Sequence, residues 1–316
     1  MNLAALVPTL RRPTYLRRCL DALIDGRLAP SAIVVVIRTG DTPTSEVLDE
    51  IAPRARARGI ALVRGEVSEP GHLPPLVAGR ALVPRGIDAV VVVDDDLFVS
   101  DGAFERIAAH LADPTVGVVA GHAIEHDEGV PRPRVDGRGG GHVSWFGTIY
   151  AGHSHASPPG ARAVEWAAGL LAAYRREVFD ALTIRSELNE NVAVGYEVDW
   201  GLQARAAGWR CIYDPAVCGD HHNAPRGHGT QRNDPSVTRV YWQNRNHVYL
   251  LLHHLRGARR IAYLANTWFV ARGDWAIGTA LAAFARRGST EWWGLLGAAY
   301  RGKLDGMIAY SQRPRP

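Results

Sequence analysis

The chain has 316 residues, 47% of them hydrophobic and 22% charged, with a formal net charge of +4. It is long enough to bury a large core and too ordinary in composition to be disordered or collagen-like. Its positive charge is too small, and too little clustered with aromatics, to mark a nucleic-acid binder; it suits an anionic small molecule or an anionic membrane surface.

Leu3 to Val7 reads as a first strand, and the loop from Pro8 to Pro13 leads into a helix with apolar residues at Leu16, Cys19, Leu20, Leu23 and Ile24. Ala32 to Ile37 is a second buried strand, Ser45 to Arg58 a helix and Ile60 to Val63 a short third strand. Alternation of strands and helices predicts a mostly parallel sheet with right-handed crossovers. Val90 to Val93, too stiff at χ1 to favour a helix, is the fourth strand, and Asp94, Asp95 and Asp96 follow it directly. After these come a helix through Phe104, Ile107 and Leu111, and a strand from Val116 to Ala120. Asp127 to Gly160 is a long Gly-, Pro- and His-rich loop around an apolar island, Trp145 to Tyr150; it is read as a lid or as a stacking face for an acceptor. Arg175 to Leu182 and Tyr196 to Ala207 read as helices, Trp209 to Tyr213 as a strand and Asp214-Pro215 as a turn. Beyond Asp234 the pattern is helical to the end. The expected division is a sheet domain over 1–232, with a nucleotide-binding half to about 100 and an acceptor half after it, and a helical region over 233–316.

Cys19, Cys211 and Cys218 form neither an even disulfide set nor a metal-ligand spacing, which suits a reducing, cytoplasmic compartment. No charged leader precedes Leu3, so no signal peptide is read. Late apolar stretches are broken by charge well short of the roughly 20 residues that span a bilayer.

Four groups of residues carry candidate chemistry. Open α/β sheets bind ligands outside the carboxyl ends of their strands, and three adjacent carboxylates there invite a divalent cation with a phosphorylated or hydroxyl-rich ligand. Glu197 and Asp199 lie in the first turn of a helix, whose dipole keeps a carboxylate ionised; two residues apart, they face different ways, so at most one is a general base. His221 and His222 end a strand and can supply an imidazole to a metal already held by carboxylates. Arg245, in Trp-Gln-Asn-Arg-Asn, has a guanidinium suited to a diphosphate. Taken singly, each has a plain alternative: a solvated turn, a helix cap, a surface His pair, a helix-surface Arg.

In this order the four resemble the family-2 glycosyltransferases of the GT-A fold, from Leu3 to about His254. The resemblance rests on Val-Pro-Thr-x-x-Arg-Pro at the start, the strand ending in Asp-Asp-Asp, Glu-x-Asp followed by Ala-Gly-Trp-Arg, and Tyr-Asp-Pro leading to His-His. It implies a Rossmann-like α/β sheet with a C-terminal helical appendage. It also implies an inverting transfer of sugar from a UDP- or dTDP-linked donor to an acceptor hydroxyl. In that reading Pro8, Thr9, Arg11 and Asp94 or Asp95 meet the nucleotide, Asp96 with Asp94 holds Mg²⁺ or Mn²⁺, His221 completes that metal site or touches the diphosphate, and Glu197 or else Asp199 is the base. Trp145, Trp166 and Gly169 lie on the acceptor side. The chain departs from the family where strand 2 ends in Ile37-Arg38 rather than a base-reading Asp; Asp41 is the substitute candidate. Rhamnosyl- and galactofuranosyl-transferases have comparable C-terminal appendages. Here that appendage carries Trp268, Trp275, Trp292 and Trp293 among arginines, which suits peripheral contact with the inner face of a membrane and a lipid-linked acceptor, a packed cap or a homodimer face. Two other classes stay open: a nucleotidyltransferase, although the first loop lacks glycine, and a non-catalytic sugar-nucleotide or carbohydrate-binding protein.

Overall fold

Runs of β-branched residues pack best on a pleated, doubly covered surface, and they form the middle of the sheet. The computed structural model describes residues 1–127, 130–131, 140–151, 160–188, 195–223, 236–270 and 291–313. The chain divides into two units: Met1–His142, Ala151–Ile184 and Trp200–Pro225 form the first, and Val143–Tyr150, Arg185–Asp199 and Arg226–Pro316 the second.

In the first unit, β1 (Leu3–Pro8), β2 (Ala32–Arg38), β3 (Ala61–Val67) and β4 (Ala89–Val93) are parallel neighbours in the order β3-β2-β1-β4. Beyond β4 the sheet continues through β11 (Leu171–Arg175), antiparallel to β4 and to β6 (Val116–Asp127). β12 (Arg210–His221) then runs parallel to β6, and β10 (Arg162–Val164) antiparallel to β12. β5 (Leu97–Val99) pairs with the end of β12, and β7 (Val130–Pro131) with β6. The expected mostly parallel α/β sheet is therefore present.

Helix α1 (Pro13–Asp25) buries the predicted stripe of Leu16, Cys19, Leu20, Leu23 and Ile24. α2 (Thr42–Ala57) starts three residues before the expected Ser45, because Asp41 caps it by accepting from the Thr44 N–H. α3 (Leu73–Leu82) was not expected: its two prolines, Pro74 and Pro75, occupy the first turn, where a missing N–H costs nothing. α4 (Ala103–Leu111) and α5 (Arg176–Ala181) complete the flanks.

The expected turn at Asp214-Pro215 is instead a bulge inside one long strand, with a register shift between Tyr213 and Cys218. Proline cannot donate to the ladder, and a bulge accommodates that without ending the strand. Asp214 fixes the bulge by accepting from the Ala216 N–H at 2.9 Å and pairing with His110 at 2.7 Å. β12 therefore continues to His221.

In the second unit a hairpin of β8 (His142–Val143) and β9 (Ile149–Tyr150) contributes residues 143–150. Helices α7 (Val237–His254), α8 (Gly257–Ala265) and α9 (Glu291–Gln312) follow, with one π-helical turn at Asn266–Val270. Gly302 and Gly306, one turn apart, let α9 lie against α7: a Cβ on either would collide with the backbone of Tyr241 or Arg245. Helix α6 (Tyr196–Ala206) crosses the boundary, with residues to Asp199 in the second unit and the rest in the first. Among the described residues no helix is long and apolar enough to cross a membrane.

Candidate active site

β4 ends at Val93, so its three carboxylates fall at the carboxyl edge of the parallel strands. Asp95 is buried and occupied: it accepts from the Thr9 hydroxyl at 2.6 Å and pairs with Arg12 at 2.9 Å. The same Arg12 nitrogen lies 3.3 Å from Asp96. Burial pushes Asp95 above the usual carboxylate range, against the pull of Arg12 and Thr9. Burial works against the charge of Arg12 too, but Asp95, Asp96 and Asp94 together raise its pKa. The loop after β1 is thereby tied to the Asp cluster.

Strand register supplies the next member. β12 pairs His221 with Leu97 on one side and with Glu125 of β6 on the other. His221 Nε2 lies 3.2 Å from Asp96, and Nδ1 is 2.7 Å from Glu125. Glu125 in turn accepts from the side chain of Asn223. Burial pushes the imidazolium down, but hydrogen bonds and charges from Asp96 and Glu125 outweigh it and carry the pKa up to about 9. Asp94, Asp96 and His221 each offer one ligand atom, all within 4.8 Å of one another. Two carboxylate oxygens and one imidazole suit a hard or borderline divalent cation such as Mg²⁺ or Mn²⁺. A buried carboxylate on the far nitrogen of the imidazole is the usual second support of a metal-ligating histidine, so the donor set fits such an ion.

The two carboxylates at the start of α6 have different surroundings. Asp199 is fully buried, 2.7 Å from His254 Nε2 and 3.1 Å from Arg185 Nε. Glu197 is only half-buried. Asp199 is thus enclosed and ion-paired, whereas part of Glu197, in the same first helical turn, remains exposed.

A family model described as Glycosyltransferase like family 2 matches residues 2–249. The chain belongs to this family. Among solved structures it is similar to the mannosyltransferase PcManGT from Pyrobaculum calidifontis in complex with GDP-Man and Mn²⁺, with 18% identity, a TM-score of 0.57, and coverage of 98% of this chain and 87% of that one. It is similar also to S. aureus TarS 1–349 in complex with UDP-GlcNAc, with 15% identity, a TM-score of 0.57, and coverage of 98% and 84%. No curated protein matches the chain. The shared architecture is the GT-A fold.

The remaining expected residues of this glycosyltransferase-family chain fall in varied places. Pro8 ends β1, and Arg11 is exposed, in the left-handed region at φ 51°. Asp41 holds that bend by accepting from the Arg11 N–H at 2.7 Å, while its oxygens also accept from Thr44. It therefore shapes the loop after β1. Arg38 donates to the Gly71 carbonyl at 3.1 Å. Arg245 donates to the Glu187 carbonyl and to Asn246, beside the rings of Trp242 and Tyr249. Trp166 is buried, with its backbone so near α6 that a Cβ on Gly201 would collide with it. Gly169 is buried in the turn before β11, whereas Trp145 is exposed in the β8–β9 turn. Much of the expected lid, 128–129, 132–139 and 152–159, lies outside the described residues, as do Trp275 and the side chain of Trp292.

Sequence reasoning missed Glu125, Arg12 as a bridge, and the Arg185 and His254 partners of Asp199. Only for Arg12 was a signal visible, in the Arg-Pro of the first motif.

Proposed function

We propose that the protein is an inverting, metal-dependent glycosyltransferase that moves a sugar from a UDP- or dTDP-linked donor to the hydroxyl of a sugar or lipid-linked acceptor. The observation that carries this reading is the meeting of Asp94, Asp96 and His221 at the sheet's carboxyl edge in a chain of this family. A divalent cation held by these three would supply charge neutralisation at the departing diphosphate. Thr9 and Arg12 hold Asp95 and the adjoining loop in one position for the nucleotide, with Pro8 and Arg11 lining that loop. Glu125 fixes the imidazole plane and tautomer of His221.

Glu197 takes the proton of the attacking hydroxyl. Asp199, locked between Arg185 and His254, sets the start of α6 instead. Trp145, Trp166 and Gly169 serve the acceptor side, Trp166 through the close packing of α6. One base and a direct attack at the anomeric carbon invert its configuration.

The test needs no acceptor. Slow hydrolysis of UDP- and dTDP-sugars, with water as the attacking hydroxyl, is followed by proton NMR before the released sugar mutarotates. Metal-dependent release of the anomer opposite to the donor's is the expected result. Release of the donor's own anomer would contradict inversion, and metal-independent release would contradict the role of the triad.

A further inference from the structure

Helix α9 is apolar on two opposite faces. Leu295, Ala298, Ala299, Gly302 and Gly306 are buried, the last two glycines against the backbone of α7. Opposite them, at about 100° per residue, Trp293, Leu296, Tyr300, Leu304, Met307 and Ile308 form one stripe about 22 Å long. Trp293 is 57% exposed, Leu304 52% and Ile308 43%, and the other three are half-buried. An amphipathic helix normally turns its apolar face inward and its charges outward. In α9 the inner face is already packed, and the same helix carries a second apolar face into solvent.

Residues 292–312 contain three charged side chains, Arg301, Lys303 and Asp305. Lys303 is turned inward, fully buried, and donates to the Thr267 carbonyl at 2.5 Å. Arg301 and Asp305, one turn apart, lie along one edge of the outer stripe. The Arg301 side chain is 80% exposed and its Nε stays 3.8 Å from Asp305 Oδ2, beyond hydrogen-bond range. That same Oδ2 accepts from the Tyr241 hydroxyl at 2.8 Å, which leaves Oδ1 to a further donor. The edge of the stripe therefore offers one open donor group and one open acceptor.

We propose that α9 pairs with α9 of a second copy of the chain, antiparallel about a two-fold axis at the level of Gly302. Helical spacing then sets Tyr300 opposite Leu304 of the second copy and Leu296 opposite its Ile308. Gly297, where a Cβ would meet no atom within 4 Å, faces Met307 of the second copy, a small residue against a large, adaptable one. Arg301 falls about 3 Å along the helix axis from Asp305 of the second copy, and symmetry repeats that pair with the roles exchanged. An anionic lipid leaflet gains nothing from an edge bearing one charge of each sign, whereas a second copy matches both. The inference stands apart from the glycosyltransferase reading, and its test needs neither donor nor acceptor.

The experiment is sedimentation velocity on the full chain from about 1 to 100 µM. A concentration-dependent dimer is expected. Leu304→Glu/Ile308→Glu, which sets carboxylates of both copies into the apolar centre, should raise its Kd on the order of a hundredfold with the melting curve unchanged. Arg301→Asp should raise it on the order of tenfold, because each new carboxylate faces Asp305 of the second copy. Asp305→Arg should do the same, and an equimolar mixture of the two single variants should recover the wild-type Kd, since every facing pair is again opposite in charge. Should Asp305→Arg fail to fold for want of its Tyr241 bond, Arg301→Asp and the double variant carry the test. A monomer at every concentration, a Kd unmoved in the folded variants, or a mixture no tighter than either variant alone would overturn the proposal.

Discussion

Replacing Glu125 by Gln should weaken divalent-metal binding although Glu125 is not itself a ligand. In the wild type one carboxylate oxygen accepts from His221 Nδ1 at 2.7 Å and the other from Asn223. A glutamine has one acceptor and one donor end, so it can serve only one of these two donors and must set an N–H against the other. The loss can be reached by two routes. A hydrogen bond to a charged group is worth ~1.5–3 kcal/mol. Losing the outer partner of a metal-bound histidine costs about 10–100-fold in affinity, which is about 1.4–2.8 kcal/mol. The routes agree, and the expected loss is at least about tenfold. The assay is a Mn²⁺ titration by calorimetry or by the EPR signal of the free ion, with a saturating nucleoside diphosphate, on wild type and Glu125→Gln. Affinity within about twofold of wild type in a normally folded variant would refute the claim that Glu125 orients His221 as a ligand.

Three further outcomes are expected. Glu197→Gln should lower kcat by about 10²–10⁴ while leaving nucleotide binding and Tm unchanged, whereas Asp199→Ala, which strands Arg185 and His254, should cost ~3–5 kcal/mol in denaturant unfolding; the reverse pattern would reassign the base. His253, edge-on to Tyr249 at 4.8 Å and Tyr310 at 5.0 Å, is lowered to about 4 by burial and the nearby Arg185 charge. The unfolded chain then binds an extra proton between about pH 6.5 and 4, so stability present above 6.5 is lost on acidification, by ~1–2 kcal/mol after allowing for partial exposure; His253→Gln should flatten that slope in urea titrations at each pH. Gly201→Ala should destabilise by ~1–3 kcal/mol in the same assay, because the new methyl meets the Trp166 backbone.

Features that depend on local chemistry were legible in the sequence. The valine run of β4 and the helical stripe of α1 stand where side-chain stiffness and spacing put them, and the Asp cluster stands at the carboxyl edge because β4 ends there. Features that depend on pairing were not. Glu125 reads as one acidic residue in His-Ala-Ile-Glu-His, and only the β6–β12 register brings it to His221, 96 positions away. That register depends on β12 passing through Asp214-Pro215, which local turn preference argued against. The Leu-Pro-Pro-Leu start of α3 fails in the same way, since proline breaks helices in general but not in their first turn. Spacing showed that Glu197 and Asp199 face apart; which of them is enclosed depended on Arg185 and on His254 at the end of α7.

The most direct test of the Asp94-Asp96-His221 site is the thermal melting of wild type and Asp96→Asn with UDP, dTDP and GDP, each with and without Mn²⁺. Expected is a Mn²⁺-dependent stabilisation of the wild type by one nucleotide, about 2.7 kcal/mol when free ligand is a hundred times Kd, with little or none in Asp96→Asn. Equal stabilisation with and without Mn²⁺, or an undiminished shift in Asp96→Asn, would contradict a metal–diphosphate site at these residues.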